Sequence, residues 1–300
     1  MEKLIQTIFT GLQLGSIYAL IAIGYTMVYG IVRIINFAHG DLLMVGGYSL
    51  LWAIPFLRKF GFSGWVAIPA TLLFCVVVGV ATEVLAYAPA RKTKREMAPL
   101  IMAMGLSLML QNVAQYYLRV SGTLYGAVVP SFLPTGRVKV LGVYMSWTTP
   151  LTIVVGILSV TILQLVVNKT HVGRAMRAVA QDKEAVALVG IDSEKVIRYT
   201  FGIGAALAAV ASCMWFSIFP GTSPHIGTSI GLFAFVAAVL GGIGSLTGAM
   251  IGGFLIGIIY SFTVSYISSS MSETVVFVTL VAVLLIRPQG IFGKNRREKV

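Results

Sequence analysis

The chain has 300 residues, of which 57% are hydrophobic and 11% are charged. A soluble domain carries about 25% charge, so an ordinary aqueous surface is excluded. The net charge of +12 does not point to nucleic acid, because 15 of the 22 Lys and Arg gather in three stretches, Arg91–Arg95, Asn168–Arg198 and Arg287–Lys299. That is the spacing of the positive-inside rule, with no basic surface left over for nucleic acid.

Several apolar runs reach about 20 residues, enough to cross about 30 Å of hydrocarbon as helix. A β-barrel would show alternating segments of about 10 residues instead. The predicted fold class is all-α, a polytopic transmembrane helical bundle of about eight to ten spans with broken or re-entrant helices. The whole chain, 1–300, reads as one transmembrane domain with a charged loop, 168–198, inside it.

The first span is Ile8 to Val32, with Gly11 and Gly15 on one face for close helix packing. Arg33, Asn36, His39 and Asp41 then cluster between two apolar runs, with Gly40 marking a break. Such a cluster lies either on a translocation path or in an interfacial turn whose charges pair locally. Leu42–Leu57 and Trp65–Ala88 are the second and third spans. Glu83, inside the third, is either a pathway carboxylate or, as the nearness of Arg91–Arg95 favours, a group that reaches the interface or a neighbouring helix donor. Met97–Leu118 is the fourth span. Its Gln111, Asn112 and Gln115 suit either interhelical hydrogen bonds or a polar lining.

Arg119–Trp147 is read as an external loop, either simply solvated or part of a docking surface. Thr148–Val167 is the fifth span. Beyond the charged loop, Tyr199–Phe219 runs outward, and Pro220–Gly227 is expected to be an external turn with His225 in solvent. Gly231–Gly242 is apolar but about half a membrane long at helical rise. Gly241–Gly253 holds six glycines and Ala249 in 13 residues, which predicts a helix break. Ala249–Tyr266 and Glu273–Ile286 complete about nine spans. The basic loops and the C-terminus then face the cytoplasm and the N-terminus lies outside. Cys75 and Cys213 read as core residues, and no internal repeat is legible.

The charged loop Asn168–Arg198 carries ten of the 32 charged residues in 31 positions. Most connections are far shorter. Gly173–Leu188 is rich in helix formers, Gly190 suits a left-handed helix end, and Asp192 and Ser193 suit the cap of the next helix. A helix, a sharp turn and a helix would present a rigid docking element. No P-loop, H-E-x-x-H, G-x-S-x-G or metal-spaced Cys/His cluster is present, so enzyme activity has no foothold and no cofactor or metal is expected.

Glu184–Gly190, E-A-V-A-L-V-G, resembles the Glu-Ala-Ala-x-x-x-Gly loop of ABC importer permeases, with Val186 where the second Ala is usual. GLQLGSIYALIAIGYTMVYGIVRIINFAHGD, AYAPARKTKREMAPLIMAMGLSLMLQN, GRAMRAVAQDKEAVALVGI and AAVLGGIGSLTGAMIGG look like the matching stretches of branched-chain amino acid permeases of the LivH type. The resemblance runs nearly end to end. It implies a subunit of an ATP-driven importer in the bacterial inner membrane, carrying Leu, Ile and Val. The implied partners are a paralogous permease, two cytoplasmic ATPases and an external substrate-binding protein, all on a lipid bilayer.

On that resemblance Arg174, Arg177, Asp182, Glu184, Ala185 and Gly190 form the ATPase-coupling element. Asn36, His39, Asp41, Gln111 and Asn112 are the candidates for the path. Relatives with the same motifs that carry urea or short amides share the loop, so the loop does not name the cargo. A stand-alone channel or secondary transporter would explain the spans. It would not explain the charged docking loop, and it would more often show paired intramembrane carboxylates.

Overall fold

The computed structural model describes residues 1–93, 97–120, 122, 126–134, 136–140 and 142–293. The remainder of the first basic loop, 94–96, and of the basic tail, 294–300, lies outside the described residues. The chain opens with α1 (Glu2–Val32) and α2 (Asp41–Lys59). Next, α3 (Ala67–Thr82) passes through a π-helical turn, Glu83–Tyr87, into α4 (Ala88–Lys92). After α5 (Ala98–Val120) comes an antiparallel hairpin of β1 (Arg137–Val140) and β2 (Val143–Ser146), within the stretch read from the sequence as an external loop. Then follow α6 (Thr148–Lys169), α7 (His171–Gln181), α8 (Lys183–Leu188), α9 (Ser193–Ile218), α10 (Ile226–Gly241), α11 (Leu246–Tyr266) and α12 (Ser272–Ile286).

Eight helices among the described residues are long and apolar enough to cross a membrane, and α10 is a shorter apolar helix beside them. Predicted and observed helix ends agree to within six residues, the largest differences being at the starts of α1, α9 and α10. The buried centre is α1, whose residues from Leu14 to Val28 are almost all enclosed. It packs chiefly against α11, and also on α9, α10 and α6. Cβ atoms built at Gly11 and Gly15 would lie 2.9 Å and 2.8 Å from the Ile258 and Phe254 Cα atoms of α11. Small residues therefore set the helix spacing, as they do where lipid leaves no hydrophobic drive between helices.

The two faces of the bundle differ in charge. Arg91, Lys169, Arg174, Lys183 and Lys195 lie at helix ends and loops of one face, here the basic face. On the other, the Arg58 guanidinium donates to the Ser131 carbonyl at 2.6 Å, and Val129 N–H donates to the Pro220 carbonyl at 2.8 Å. The expected external turn is therefore joined to the external loop at Pro220, but it does not stay there.

From Pro220 the chain descends into the bundle, and α10 begins beside Gln111 of α5. Gln111 stands 13 residues after the start of α5 and 9 before its end, about 20 Å and 14 Å along the axis. So Pro220–Gly227 is re-entrant, and α10 starts near mid-membrane and runs to the basic face. There Ile291 and Phe292 N–H groups cap the Leu240 and Gly241 carbonyls.

The Arg33–Asp41 segment does the same from the other side. α1 ends at Arg33, whose φ of 55° makes it the one non-glycine among the described residues with positive φ. A short extended piece and a 3-10 turn (Phe37–His39) climb to mid-membrane, where α2 begins and runs outward. The two half-depth helix starts meet back to back. A Cβ at Gly40 would sit 2.5 Å from the Gly227 carbonyl oxygen and 2.7 Å from the Gly231 Cα.

This arrangement is an inverted repeat. α1, α2, α3–α4 and α5 correspond to α9, α10, α11 and α12, with opposite direction through the membrane. The contacts obey it: α1 on α11 matches α9 on α3, α1 on α10 matches α9 on α2, and α2 on α3 matches α10 on α11. Inverted-topology repeats of this kind build many transporters. The glycine-rich run Gly241–Gly253 contains the helix break that its composition predicted, at 242–245 between α10 and α11, and the break lies on the basic face. Its first glycines turn the chain on the basic face, and Gly248, Gly252 and Gly253 belong to the unbroken α11, where they let neighbouring backbones close in.

Candidate translocation site and coupling surface

The two half-depth helix starts carry the mid-membrane polar groups. Asp41, first residue of α2, is buried, and its Oδ1 accepts from Gln111 Nε2 at 3.2 Å. The same amide nitrogen lies 2.8 Å from Thr228 Oγ1 of α10 and 3.0 Å from Ser107 Oγ of α5. Gln111 Oε1 is 3.0 Å from His225 Nδ1, and Gln115 Nε2 is 3.4 Å from His225 Nε2. One glutamine thus ties α2, α5 and the start of α10 together.

Asp41, Asn36, His39 and Gln111 are enclosed, whereas His225, Thr228 and Ser229 are exposed on the protomer. Polar side chains exposed at this depth are costly against lipid and belong against water or protein. Oδ2 of Asp41 is buried without a hydrogen-bond partner among the described residues.

His39 fills a slot between α1 and α9. A Cβ at Gly24 would lie 2.1 Å from its Nε2, and one at Gly204 3.1 Å from its Cε1. Tyr25 meets its ring edge-on with centroids 5.0 Å apart. Asn36 accepts a hydrogen bond at Oδ1 from the Tyr87 hydroxyl. The sequence candidates Asn36, His39, Asp41 and Gln111 therefore sit on or against the helix break.

Asn112 does not join them. It is exposed and donates to the Leu108 carbonyl of its own helix at 2.7 Å, because adjacent helix residues point about 100° apart. His225 departs from its expected role as a solvated turn residue, since the re-entrant course of the loop brings it to Gln111. Thr228, Ser107 and Tyr87 carried no signal in the sequence, since hydroxyls in apolar helices are common.

On the basic face the charged loop folds as three helices rather than two. Thr170 caps α7, its Oγ1 accepting from Gly173 N–H at 3.1 Å. Met176 and Val179 bury the inner face of α7. Arg174 lies against the His171 ring, and Arg177 donates to the Val167 carbonyl at the end of α6. Asp182, in extended backbone, splits the expected single helix 173–188. Its Oδ1 accepts from Ala185 N–H at 3.0 Å and so starts α8. An aspartate competes well for amides in this way, favouring caps over helix interiors.

Glu184 and Ala185 lie in α8, which ends at Gly190 with φ 80°. Ile191 N–H donates to the Val186 carbonyl and Gly190 N–H to the Ala187 carbonyl, at 3.2 Å and 3.1 Å, the paired bonds of a Schellman motif. Asp192 caps α9 as expected, and the amides of Lys195 and Glu194 hold its carboxyl below the usual carboxylate range. Val186 is the buried anchor of α8, while Leu188 and Val189 are 90% and 74% exposed at its tip.

Of the alternatives open to Glu83, the structure shows a helix donor, Arg91 of α4. The Glu83 side chain is fully buried and forms a two-pronged pair with Arg91, at 2.9 Å and 2.6 Å.

The family described as "Branched-chain amino acid transport system / permease component" matches residues 7–284. The chain belongs to that family. It is 41% identical to the Pseudomonas aeruginosa protein "High-affinity branched-chain amino acid transport system permease protein BraD", over 99% of this chain and 98% of that one. It is 39% identical to the Escherichia coli K12 protein "High-affinity branched-chain amino acid transport system permease protein LivH", over 99% and 97%. A Methanocaldococcus jannaschii protein, "Probable branched-chain amino acid transport permease protein LivH", is 29% identical over 93% and 89%. No solved structure matches the chain.

Proposed function

We propose that the chain is a membrane-spanning permease subunit of an ATP-driven importer of branched-chain amino acids in a bacterial inner membrane. The observation that carries this is the near full-length likeness, 39–41% identical, to permeases named for that cargo. Its partners are a second permease, two ATPases on the basic, cytoplasmic face and an external substrate-binding protein. The chain itself is not an enzyme, because hydrolysis belongs to the ATPases.

The path runs past the start of α10. His225, Thr228 and Ser229 face it, and Gln111 and Asp41 stand behind them. Asn36 and His39, being enclosed, support the path rather than line it. Asn112 lies on the neighbouring exposed face of α5. The half-depth start of α10 offers amide donors and a positive helix end, which suit the carboxylate of an amino acid.

The ATPase docks on α8. Its apolar tip, Leu188 and Val189, is exposed in a loop that also carries Arg174, Arg177, Lys183 and Asp182, and an exposed apolar tip on a charged face suits a partner's groove. ATP binding draws the ATPases together, α8 follows, and the bundle switches the side from which the path is open. That is a two-state element biased by a ligand at a distance.

Purified from its host in mild detergent, the chain is expected to bring down an ATPase and a second permease in stoichiometric amounts. Leu188→Asp, or charge reversal of Arg174, should weaken that capture by about tenfold, a common cost for truncating a central interface contact, without lowering thermal stability. A chain that purifies alone and moves leucine into liposomes without ATP would overturn the proposal. Uptake of radiolabelled leucine, isoleucine and valine into ATP-loaded proteoliposomes, competed with urea and short amides, names the cargo.

A further inference from the structure

A line of polar contacts joins the α8 surface to the mid-membrane break. Lys183, first residue of α8, pairs through Nζ with Glu194 Oε1 at 3.3 Å. Glu194 Oε2 receives Arg91 Nη2 at 2.7 Å. Arg91 grips the fully buried Glu83 with both of its terminal nitrogens. Glu83 opens the π-helical turn Glu83–Tyr87, and Tyr87, which closes it, donates to Asn36 in the re-entrant segment. Around this line the packing is apolar: Val28, Ala38, Ala86, Ala103, Leu106 and Phe201.

Two physical points set this line apart from ordinary packing. First, a buried ion pair is a poor source of stability, and well-packed apolar residues in its place are often as stable or more so. Stability alone therefore does not call for a fully buried Glu83 paired with Arg91. Second, the line passes through a π turn. Pro89 has no amide proton for the Leu85 carbonyl, and the helix widens there, with Ala88 N–H bonding back five residues to Glu83. Single π turns inside α-helices recur at functional positions, and they are places where a helix can change pitch without breaking.

We infer that Glu83, Arg91 and Tyr87 are positioning residues that carry the displacement of α8, through the π turn, to the Asn36–Asp41 break. The inference rests on the proposal that α8 is the ATPase dock. It assigns Glu83 and Tyr87, whose side chains bond to Arg91 and Asn36, to the coupling step. Displacing Lys183 moves Glu194 and Arg91 together, since Glu194 is shared between them. Arg91 is fixed to Glu83 at two points, so it turns the widened helix rather than sliding along it. Tyr87 then draws on Asn36, and with it the start of α2 that abuts α10.

The test uses the whole reconstituted importer with its binding protein. The variants are Tyr87→Phe, Glu83→Gln, Lys183→Gln and the Tyr87→Phe/Lys183→Gln double. Each is read for ATPase capture, for basal ATP hydrolysis, and for the stimulation of hydrolysis and uptake by cargo-loaded binding protein. Tyr87→Phe is expected to capture the ATPase normally but to lower stimulation and uptake about fivefold, the lower end of measured coupling between sites. The double variant should lose no more than the worse single, because contacts in series are not additive whereas distant independent ones are.

Should Glu83→Gln fail to fold, Tyr87→Phe and the double decide. Stimulation within twofold of the parent in Tyr87→Phe, or additive losses in the double, would sink the inference while leaving the dock intact. Loss of capture in every arm, parent included, is the separate failure of the docking proposal.

Discussion

Gly257→Leu is expected to eliminate folded permease from the membrane. α1 and α11 form the most extensive helix pair of the bundle, and they meet backbone to backbone. A Cβ at Gly257 would lie 2.3 Å from Gly15 N, 2.4 Å from Gly11 O and 2.4 Å from Gly15 Cα. None of these atoms belongs to a side chain that can swing away, so the helices must part. Overpacking a core usually costs about 1–3 kcal/mol because neighbours adjust. Here the adjustment would open the seam along Gly11, Gly15, Gly253 and Gly257 together, and the cost should exceed that range. Since packing rather than water exclusion holds membrane helices together, nothing replaces the lost contacts. Fluorescence-detected size exclusion of a tagged variant should show aggregate or no protein. Gly105→Leu is the control, because a Cβ there meets nothing within 4 Å, and it should run as the parent does. A monodisperse Gly257→Leu protein with the parent's melting temperature would refute this account of the seam.

The same seam shows which parts of the fold the sequence could convey. Apolar runs long enough to cross a membrane declare themselves one at a time, and the ends of each full span were legible to within six residues. Gly11 and Gly15 were legible as a packing face because i and i+4 share a side of a helix. The partner of that face was not, since nothing local says that residues 11–15 will meet 253–258. The inverted repeat failed for the same reason. Its two halves share directions and contacts rather than residues, so no self-similarity is printed in the chain.

The candidate site was half legible. Asn36, His39 and Asp41 stood out as polar residues beside a glycine, and Gln111 as an amide in an apolar run. Their grouping needed the descent of Pro220–Gly227 into the bundle, which a turn-like composition conceals. Gly241–Gly253 was legible as a break, which falls at 242–245, but which of its glycines serve the break and which the close approach of α11 only the packing partner distinguishes. On the basic face, Gly190 and Asp192 were legible as caps because capping is local chemistry. Asp182 was equally local but was absorbed into a long run of helix formers.

Gly190→Val is expected to leave the permease folded and to abolish most of its transport. The change adds no steric overlap, as nothing lies within 4 Å of a Cβ at this position. Its effect is confined to the backbone. With φ at 80°, Gly190 is in the left-handed region, where an L-residue is disfavoured by about 1–2 kcal/mol and a β-branched one more. That sum would be minor for the bundle as a whole. For α8 it is decisive, because a helix of six residues has no stability of its own. It is held by the Asp182 cap at one end, the Schellman bonds of Gly190 and Ile191 at the other, and the buried Val186 between. Removing one of these shifts the local equilibrium about 5–30-fold away from the docked shape.

Uptake and cargo-stimulated ATP hydrolysis in proteoliposomes should therefore fall by up to about 30-fold in proportion, with melting temperature unchanged. Gly190→Asn discriminates the cause. Asparagine visits the left-handed region more readily than other side chains, so that variant should keep most of its transport, with Gly190→Ala between the two. If valine transports as glycine does, α8 is not the coupling element. If asparagine fails as badly as valine, the loss comes from a side chain intruding on the ATPase and not from the backbone of the cap.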